Sequence, residues 1–136
     1  MYLLDTNIIL ELLLDQDRSN EVEQFLHTTE PGKLHISEFS LYSFGILLTR
    51  RKLQGIFLQM TNDLLISGGV EVLRLAVVDM PAVVVASQQF NLDFDDSYQY
   101  VVARRFGLAL VSFDTDFDRT DLERNTPADL LGHPKN

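Results

Sequence analysis

The chain contains no cysteine and no tryptophan, and its 20 acidic residues outnumber its 11 lysines and arginines. Without cysteine there is no disulfide framework, no thiolate zinc site and no cysteine nucleophile. The net charge of -9 argues against a basic surface that binds nucleic acid by neutralising phosphates. No apolar run approaches the roughly 20 residues that a membrane span needs. A signal peptide is not expected, because the start of the chain has no basic segment and carries an acid at position 5. We therefore expect a cytoplasmic protein without membrane association.

The remaining composition is that of an ordinary globular protein. Hydrophobic residues make up 46% of the 136 residues and charged residues 23%, which argues against disorder. A chain of this length can bury a sizeable core. We expect residues 1–136 to form a single domain.

Apolar runs and helical periodicity alternate along the chain. The predicted strands cover residues 2–4, 34–36, 70–75 and 108–112. The predicted helices cover residues 8–14, 21–28, 39–52, 57–66, 79–90 and 96–106, with a short helix after Thr126. Alternation of this kind predicts an α/β fold with a mainly parallel sheet.

Acidic residues follow three of these strands. Asp5 comes after the first strand, Glu38 after the second, and Asp114 with Asp116 after the last, while Asp96 opens a helix. In a parallel sheet the carboxyl ends of the strands lie along one edge, so these side chains are expected to converge. Converging carboxylates repel one another unless a cation lies between them. Oxygen ligands without His or Cys predict Mg²⁺ or Mn²⁺, and such ions support phosphodiester hydrolysis.

Each acid also has a simpler interpretation. Asp5 is placed to cap the end of a strand, Asp96 to favour a helix N-terminus, and Asp114 to sit in a turn. The stretch from Leu92 to Glu123 holds eight acids and three arginines. Asp93 and Asp95 are, like Asp96, placed to favour the helix N-terminus, and we interpret three further acids as solvated surface: Asp118, Asp121 and Glu123. The set of acids that follow strands favours a site more than any single member does.

Several segments, taken in order, resemble the PIN-domain nuclease family. Residues 3–7 (LLDTN) resemble its opening strand and first catalytic acid. Asp96-Ser97, Ala103 and residues 107–114 (GLALVSFD) resemble its third acid, the helix, and the last strand with the fourth acid. Phe117 fits the same pattern, and Thr126-Pro127 resembles the closing segment. The resemblance covers essentially the whole chain.

This resemblance implies a three-layer α/β/α PIN-like domain and a metal-dependent endoribonuclease, most often the toxin of a VapBC-type toxin–antitoxin pair. It implies an RNA substrate, a cognate antitoxin and a homodimer. Exposed apolar helix surface in residues 8–14 and 57–66 is the sequence feature that agrees with such partners, and either stretch is equally compatible with a core.

The resemblance also assigns roles at the site. The expected metal ligands are Asp5, Asp96 and Asp114, with Asp116 as a further ligand or water holder. The expected catalytic set is Asp5, Glu38, Asp96 and Asp114. The hydroxyls of Thr6 and Ser112 are expected to orient the ligands.

One position departs from the family pattern. The second acid of the family lies inside the helix that follows the second strand, and counting from Ile36 places that position at Ser43. Glu38 lies five residues earlier, which is about 140° of rotation on a helix. Glu38 therefore cannot replace the missing acid from the same helix face. It either reaches the cleft from the strand end or is a first-turn acid favoured by the helix dipole.

Ser43 keeps a second function open, a degenerate PIN-like module that binds metal, RNA or a protein without efficient catalysis. A receiver domain is disfavoured because no Lys follows Ser112, and a HAD-like phosphatase because position 7 is Asn. The histidines show no ligand spacing, and we interpret them as structural or surface residues: His27, His35 and His133. Two tyrosines are compatible with base stacking or packing: Tyr98 and Tyr100. Five cationic side chains are compatible either with contacts to RNA phosphates or with a solvated surface: Arg50, Arg51, Lys52, Arg104 and Arg105.

Overall fold

The computed structural model describes residues 1–132, so His133 lies outside the described residues. Five strands form one sheet in the order β3-β2-β1-β4-β5, and every neighbouring pair is parallel. The strands are β1 (Tyr2–Leu4), β2 (Leu34–Ser37), β3 (Glu71–Leu73), β4 (Ala109–Val111) and β5 (Arg124–Asn125). The helices are α1 (Thr6–Leu13), α2 (Ser19–Thr28), α3 (Glu38–Arg50), α4 (Gln54–Met60), α5 (Met80–Phe90), α6 (Phe94–Phe106) and α7 (Pro127–Leu130). Within residues 1–132, no helix has both the length and the apolar character needed to cross a membrane.

Strand β1 lies at the centre of the sheet, and its side chains alternate between two separate cores. Leu4 belongs to a core that includes Ile8 and Phe44, on the face covered by α1 to α4. Leu3 belongs to a core that includes Val102 and Phe117, on the face covered by α5 and α6. Because both faces are covered, the central strands can be apolar throughout. The predicted three-layer α/β/α fold with a parallel sheet is confirmed.

Two parts of the chain differ from the sequence-based prediction. Strand β5 was not predicted, because Arg124–Asn125 is a two-residue polar strand at the sheet edge and carries no apolar signal. The helix predicted at residues 57–66 begins earlier, at Gln54, and continues from α4 into a π-helical turn, Thr61–Ile66. The turn closes against Gly68, where an added Cβ would lie 2.2 Å from the carbonyl oxygen of Asp63. Glycine is therefore required at the point where this helix ends.

The parallel arrangement places three chain segments along one edge of the sheet. Asp5 follows β1, Ser37 ends β2, and Ser112 follows β4. Strand β1 pairs with both β2 and β4, so these segments are neighbours in space. The fold thereby brings the carboxyl ends of the three central strands to the same place.

Candidate metal centre

Asp5 is held by hydrogen bonds on both carboxylate oxygens. Its Oδ2 accepts from Ser112 Oγ at 2.7 Å, and its Oδ1 accepts from the backbone N–H of Thr6 at 2.8 Å. The second contact makes Asp5 the cap of α1. The residue is only 5% exposed. Asp5 is thus a helix cap and also a buried carboxylate at the sheet edge, so the two interpretations of this acid do not exclude each other.

Burial makes the ionised form of Asp5 unfavourable. Its pKa is raised from 3.8 to about 6, mainly by desolvation, although the hydrogen bonds from Ser112 and Thr6 act in the opposite direction. The neighbouring negative charge of Asp114 contributes a smaller increase. A buried carboxylate beside another carboxylate is an arrangement that a cation would stabilise.

Asp96 lies in the first turn of α6 and is 8% exposed. Its carboxylate and those of Asp114 and Asp116 each offer an oxygen atom within 4.8 Å of the others. The pKa of Asp96 is raised to about 7, first by desolvation and then by the negative charges of Asp114, Asp95, Asp5 and Asp116. This repulsion shows that carboxylates from β1, α6 and the loop after β4 share one electrostatic environment.

Ser112 connects Asp5 to the loop that carries Asp114. The backbone N–H of Asp114 donates to Ser112 Oγ at 2.9 Å, and that hydroxyl donates to Asp5. Asp114 Oδ1 in turn accepts from the backbone N–H of Asp116 at 2.9 Å. Asp116 is exposed and forms an ion pair with Arg119 at 3.2 Å. The chain of contacts fixes Asp114 more firmly than Asp116.

These carboxylates open onto a cleft of about 350 Å³. The residues that line it are Asp5, Thr6, Asn7, Leu10, Phe39, Ser43, Leu47, Asp95, Asp96, Gln99 and Asp114. Three of the four acids predicted as metal ligands line the cleft, and the fourth, Asp116, joins them through the carboxylate cluster. Ser43 also lines it, at the position where the family pattern places an acid.

Glu38 is not brought into this group. It does not line the cleft and is not part of the clusters of carboxylates within residues 1–132. Its side chain is hydrogen-bonded with Tyr42, one helical turn later, and this contact raises the pKa of the tyrosine. The geometry gives no support to the catalytic role predicted for Glu38.

The donor set fits a hard divalent cation. The groups that converge are carboxylate oxygens, and no histidine or cysteine lines the cleft within the described residues. Carboxylate oxygens alone suit Mg²⁺ and Mn²⁺, whereas protein zinc sites generally include histidine or cysteine ligands. A cation would also remove the repulsion that raises the pKa of Asp96. Asp5, Asp96 and Asp114 could hold such an ion, with Asp116 beside them.

Two polar residues at the site were missed from the sequence. Asn7 accepts from the backbone N–H of Phe113 at 3.3 Å through Oδ1, and its Nδ2 donates to Ser112 Oγ at 3.4 Å. Gln99 is 1% exposed and donates to Asp5 Oδ1 at 3.3 Å. Gln99 lies three residues after Asp96, on the same face of α6. A polar residue three positions after Asp96 is the feature of the sequence from which the role of Gln99 could have been predicted.

The side chains interpreted as structural have local partners. His35 is buried in β2, with Nδ1 3.2 Å from the carbonyl oxygen of Tyr2. The Tyr98 hydroxyl accepts from the backbone N–H of Leu75 at 2.9 Å, which supports packing and not base stacking. The Tyr100 hydroxyl donates to Asp121 at 2.6 Å.

The cations on α6 are also paired. Arg104 lies 3.7 Å from a carboxylate oxygen of Asp121, and Arg105 forms an ion pair with Asp79. These contacts support the surface interpretation of the two arginines. Arg50, Arg51 and Lys52 at the end of α3 are exposed.

A five-stranded parallel sheet whose central strands end in clustered carboxylates defines an α/β protein with an acidic cleft. The family model described as the PIN domain matches residues 2–123, and the chain belongs to this family. The predicted family membership is therefore confirmed.

Among the solved structures with the same fold, one is described as a toxin and one as a toxin–antitoxin complex. The Mycobacterium tuberculosis toxin VapC20, described as cleaving the sarcin–ricin loop, is 19% identical with a TM-score of 0.74, and the match covers 90% of this chain and 97% of that one. A toxin–antitoxin complex from Klebsiella pneumoniae is 20% identical with a TM-score of 0.73, covering 93% and 98%. FitAcB from Neisseria gonorrhoeae is 19% identical with a TM-score of 0.73, and the match covers 93% of this chain and 98% of that one. No curated protein matches the chain significantly.

Proposed function

We propose that this protein is a Mg²⁺- or Mn²⁺-dependent endoribonuclease that hydrolyses RNA phosphodiester bonds. The observation that carries the proposal is the convergence of carboxylates from Asp96, Asp114 and Asp116 within 4.8 Å at the sheet edge where Asp5 is buried. PIN domains are generally nucleases, which agrees with this chemistry.

The protein side chains would supply ligands, their orientation and a proton acceptor. When bound, the metal ion would activate a water molecule and stabilise the leaving oxygen of the phosphodiester. Ser112 and the backbone N–H of Thr6 hold the two oxygens of Asp5 in fixed directions. Asp116 is the exposed member of the cluster. We propose that its carboxylate holds the attacking water molecule and accepts the proton of that water.

The proposal extends to a toxin of the VapBC type with an antitoxin partner. The fold matches solved structures described as a toxin–antitoxin complex and as a toxin. Of the apolar helix surface noted in the sequence, Ile8 and Ile9 are buried in the core, whereas Leu58 and Ile66 are 67% and 75% exposed. The exposed side chains on α4 and on the turn after it support a protein partner or a homodimer.

A cleavage assay with matched variants tests the enzymatic proposal. The wild-type protein is incubated with single-stranded and structured RNA, with Mn²⁺, with Mg²⁺ or with a chelator. We expect internal cleavage with the metal ions, and loss of cleavage with the chelator and in Asp5→Asn and Asp96→Asn. Asp63→Asn is the control. Asp63 is exposed and lies beside Pro31 and Leu34, near the amino end of β2 and away from the carboxyl ends of the strands. No cleavage by a wild-type protein that binds Mn²⁺ would contradict the enzymatic proposal.

A second candidate function rests on Ser43. This residue lines the cleft where the family pattern has an acid, so the site has one carboxylate fewer than expected. The second candidate is a PIN-like module that binds metal, RNA or a protein partner without efficient catalysis. Metal binding without cleavage in the assay above would favour it.

A further inference from the structure

Gln99 is a buried amide between the acids of the cleft and helix α3. Its Nε2 donates to Ser40 Oγ at 2.7 Å and to Asp5 Oδ1 at 3.3 Å, and it lies 3.5 Å from Thr6 Oγ1. It therefore connects α6, the end of β1 and α3 at one point. A glutamine that is 1% exposed is unusual, because amides are mostly found at the protein surface.

The orientation of this amide follows from its partners. An ionised carboxylate only accepts hydrogen bonds, so the Nε2 end must face Asp5. The opposite atom, Oε1, is buried and has no hydrogen-bond partner within the described residues. A buried acceptor without a partner is unfavourable for folding. An apolar side chain of the same length would avoid this penalty, but it could not donate to Asp5.

The α3 side of this contact is neutral. Ser40 Oγ is hydrogen-bonded with Thr6 Oγ1 at 2.8 Å and accepts a hydrogen bond from Ser37 Oγ at 3.2 Å. Ser43, which lines the cleft one turn further along α3, is also neutral. The α3 side chains near Gln99 therefore carry hydroxyl groups, and Ser43 stands at the position where the family pattern places an acid.

We propose that Gln99 is a positioning residue, which fixes the Asp5 carboxylate for the metal ion from the α3 side and so compensates for the acid that α3 lacks. The proposal rests on the proposed function, because the ion is the one assigned there to Asp5. Gln99 acts through Asp5 and Ser40, and it is not itself assigned as a ligand.

The test compares metal affinity with folding stability in the same variants. Mn²⁺ binding is measured by electron paramagnetic resonance, and thermal unfolding by circular dichroism without metal. Gln99→Met removes the donor and the unpaired carbonyl together. We expect Mn²⁺ affinity to fall by about 10- to 100-fold, with an unfolding midpoint at or above that of the wild type. RNA cleavage by this variant should recover in excess Mn²⁺, because the loss is one of affinity. Gln88→Met, at an exposed position on α5, is the matched control and should bind Mn²⁺ normally.

A second variant keeps the test decisive if Gln99→Met does not fold. Ser40→Ala removes the other partner of the Gln99 amide and should lower Mn²⁺ affinity several-fold in the same direction. Wild-type affinity in a folded Gln99→Met protein would overturn the proposal, as would wild-type affinity in Ser40→Ala when Gln99→Met is unfolded. A wild-type protein that binds Mn²⁺ without cleaving RNA would contradict the proposed enzyme, while the affinity comparison would still decide the role of Gln99. A wild-type protein that binds no Mn²⁺ would overturn both.

Discussion

The two walls of the cleft differ in charge. One wall consists of Asp5, Asp96 and Asp114, which come from the end of β1, the start of α6 and the loop after β4. The facing wall consists of α3, which contributes Phe39, Ser43 and Leu47 to the lining. The α3 wall carries no formal charge at the cleft, because Glu38 is hydrogen-bonded with Tyr42 instead.

This difference shows how an acidic cleft can be built with charge on one side. On the acidic wall, Ser112 Oγ and backbone N–H groups hold the carboxylates in place. Beside the neutral wall, Ser37 at the end of β2, Ser40 of α3 and Gln99 of α6 form a network of hydrogen bonds that ends at Asp5. Metal affinity should therefore depend mostly on the acidic wall and should respond to charge added on the neutral wall.

The largest expected effect is at Asp114. Asp114→Asn should lower Mn²⁺ affinity and RNA cleavage by at least about 100-fold, more than the loss of an outer-shell partner. Asp116→Asn should lower Mn²⁺ affinity by less, below about tenfold, because Asp116 is exposed and partly neutralised by Arg119 at 3.2 Å. Its loss of RNA cleavage should be larger than its loss of affinity, because Asp116 is the residue assigned to accept the proton of the attacking water. Titration with Mn²⁺ and a cleavage time course measure both. Equal losses in the two variants would show that the acids act as equivalent ligands.

The acidic wall could be predicted from the sequence because its positions follow from topology. Asp5 comes directly after an apolar strand and Asp114 lies in the loop that follows another, and parallel strands end at one edge of the sheet. Asp96 was predicted because it opens a helix and because Asp96-Ser97 resembles the third acid of the family. The spacing of these acids along the chain therefore contained most of the information about this wall.

The neutral wall was harder to predict because its contacts depend on side-chain direction. Ser43 was located by counting from β2, but the direction of Glu38 depends on its hydrogen bond with Tyr42. The role of Gln99 depends on tertiary contacts with Ser40 and Asp5, and a buried amide has no periodic signal. Strand β5 was missed for a related reason, since its two residues pair with β4 through backbone atoms.

Charge added to the neutral wall should strengthen metal binding. Ser43→Glu would place a carboxylate on the α3 side of the cleft. Because cation affinity rises with the number of charged ligands, we expect Mn²⁺ affinity to increase about tenfold, with faster RNA cleavage at low Mn²⁺. Ser43→Gln, of the same size but neutral, is the control and should show neither change. An equal response in the two variants would mean that volume and not charge matters at position 43.

The acidic wall should make the metal-free protein less stable as pH rises. The folded-state pKa values of Asp5 and Asp96 are about 6 and about 7, above the ordinary value of 3.8. The folded state therefore binds protons more tightly than the unfolded state, and the free energy of unfolding falls as pH rises from about 4 to about 7. Because one pKa unit corresponds to about 1.4 kcal/mol and both carboxyl groups are buried, we expect a loss on the order of several kcal/mol.

Urea unfolding at pH 5 and pH 8 with a chelator measures this loss. Mg²⁺ at saturation should remove most of the difference, and Asp96→Asn should reduce it without metal. A metal-free wild-type protein that is equally stable at both pH values would contradict the repulsion assigned to this wall.

The smallest expected effect is at Glu38, which lies outside both walls of the cleft. Its carboxylate is hydrogen-bonded with the exposed Tyr42, so Glu38→Gln removes a charge that the metal ion does not contact. We expect Mn²⁺ affinity and RNA cleavage to change by less than about twofold, as for a screened surface charge. The pKa of Tyr42 should fall toward its ordinary value of 10.0, and ultraviolet absorbance at alkaline pH can follow this change. A loss of cleavage as large as that in Asp114→Asn would return Glu38 to the catalytic set, because α3 would then contribute a carboxylate after all.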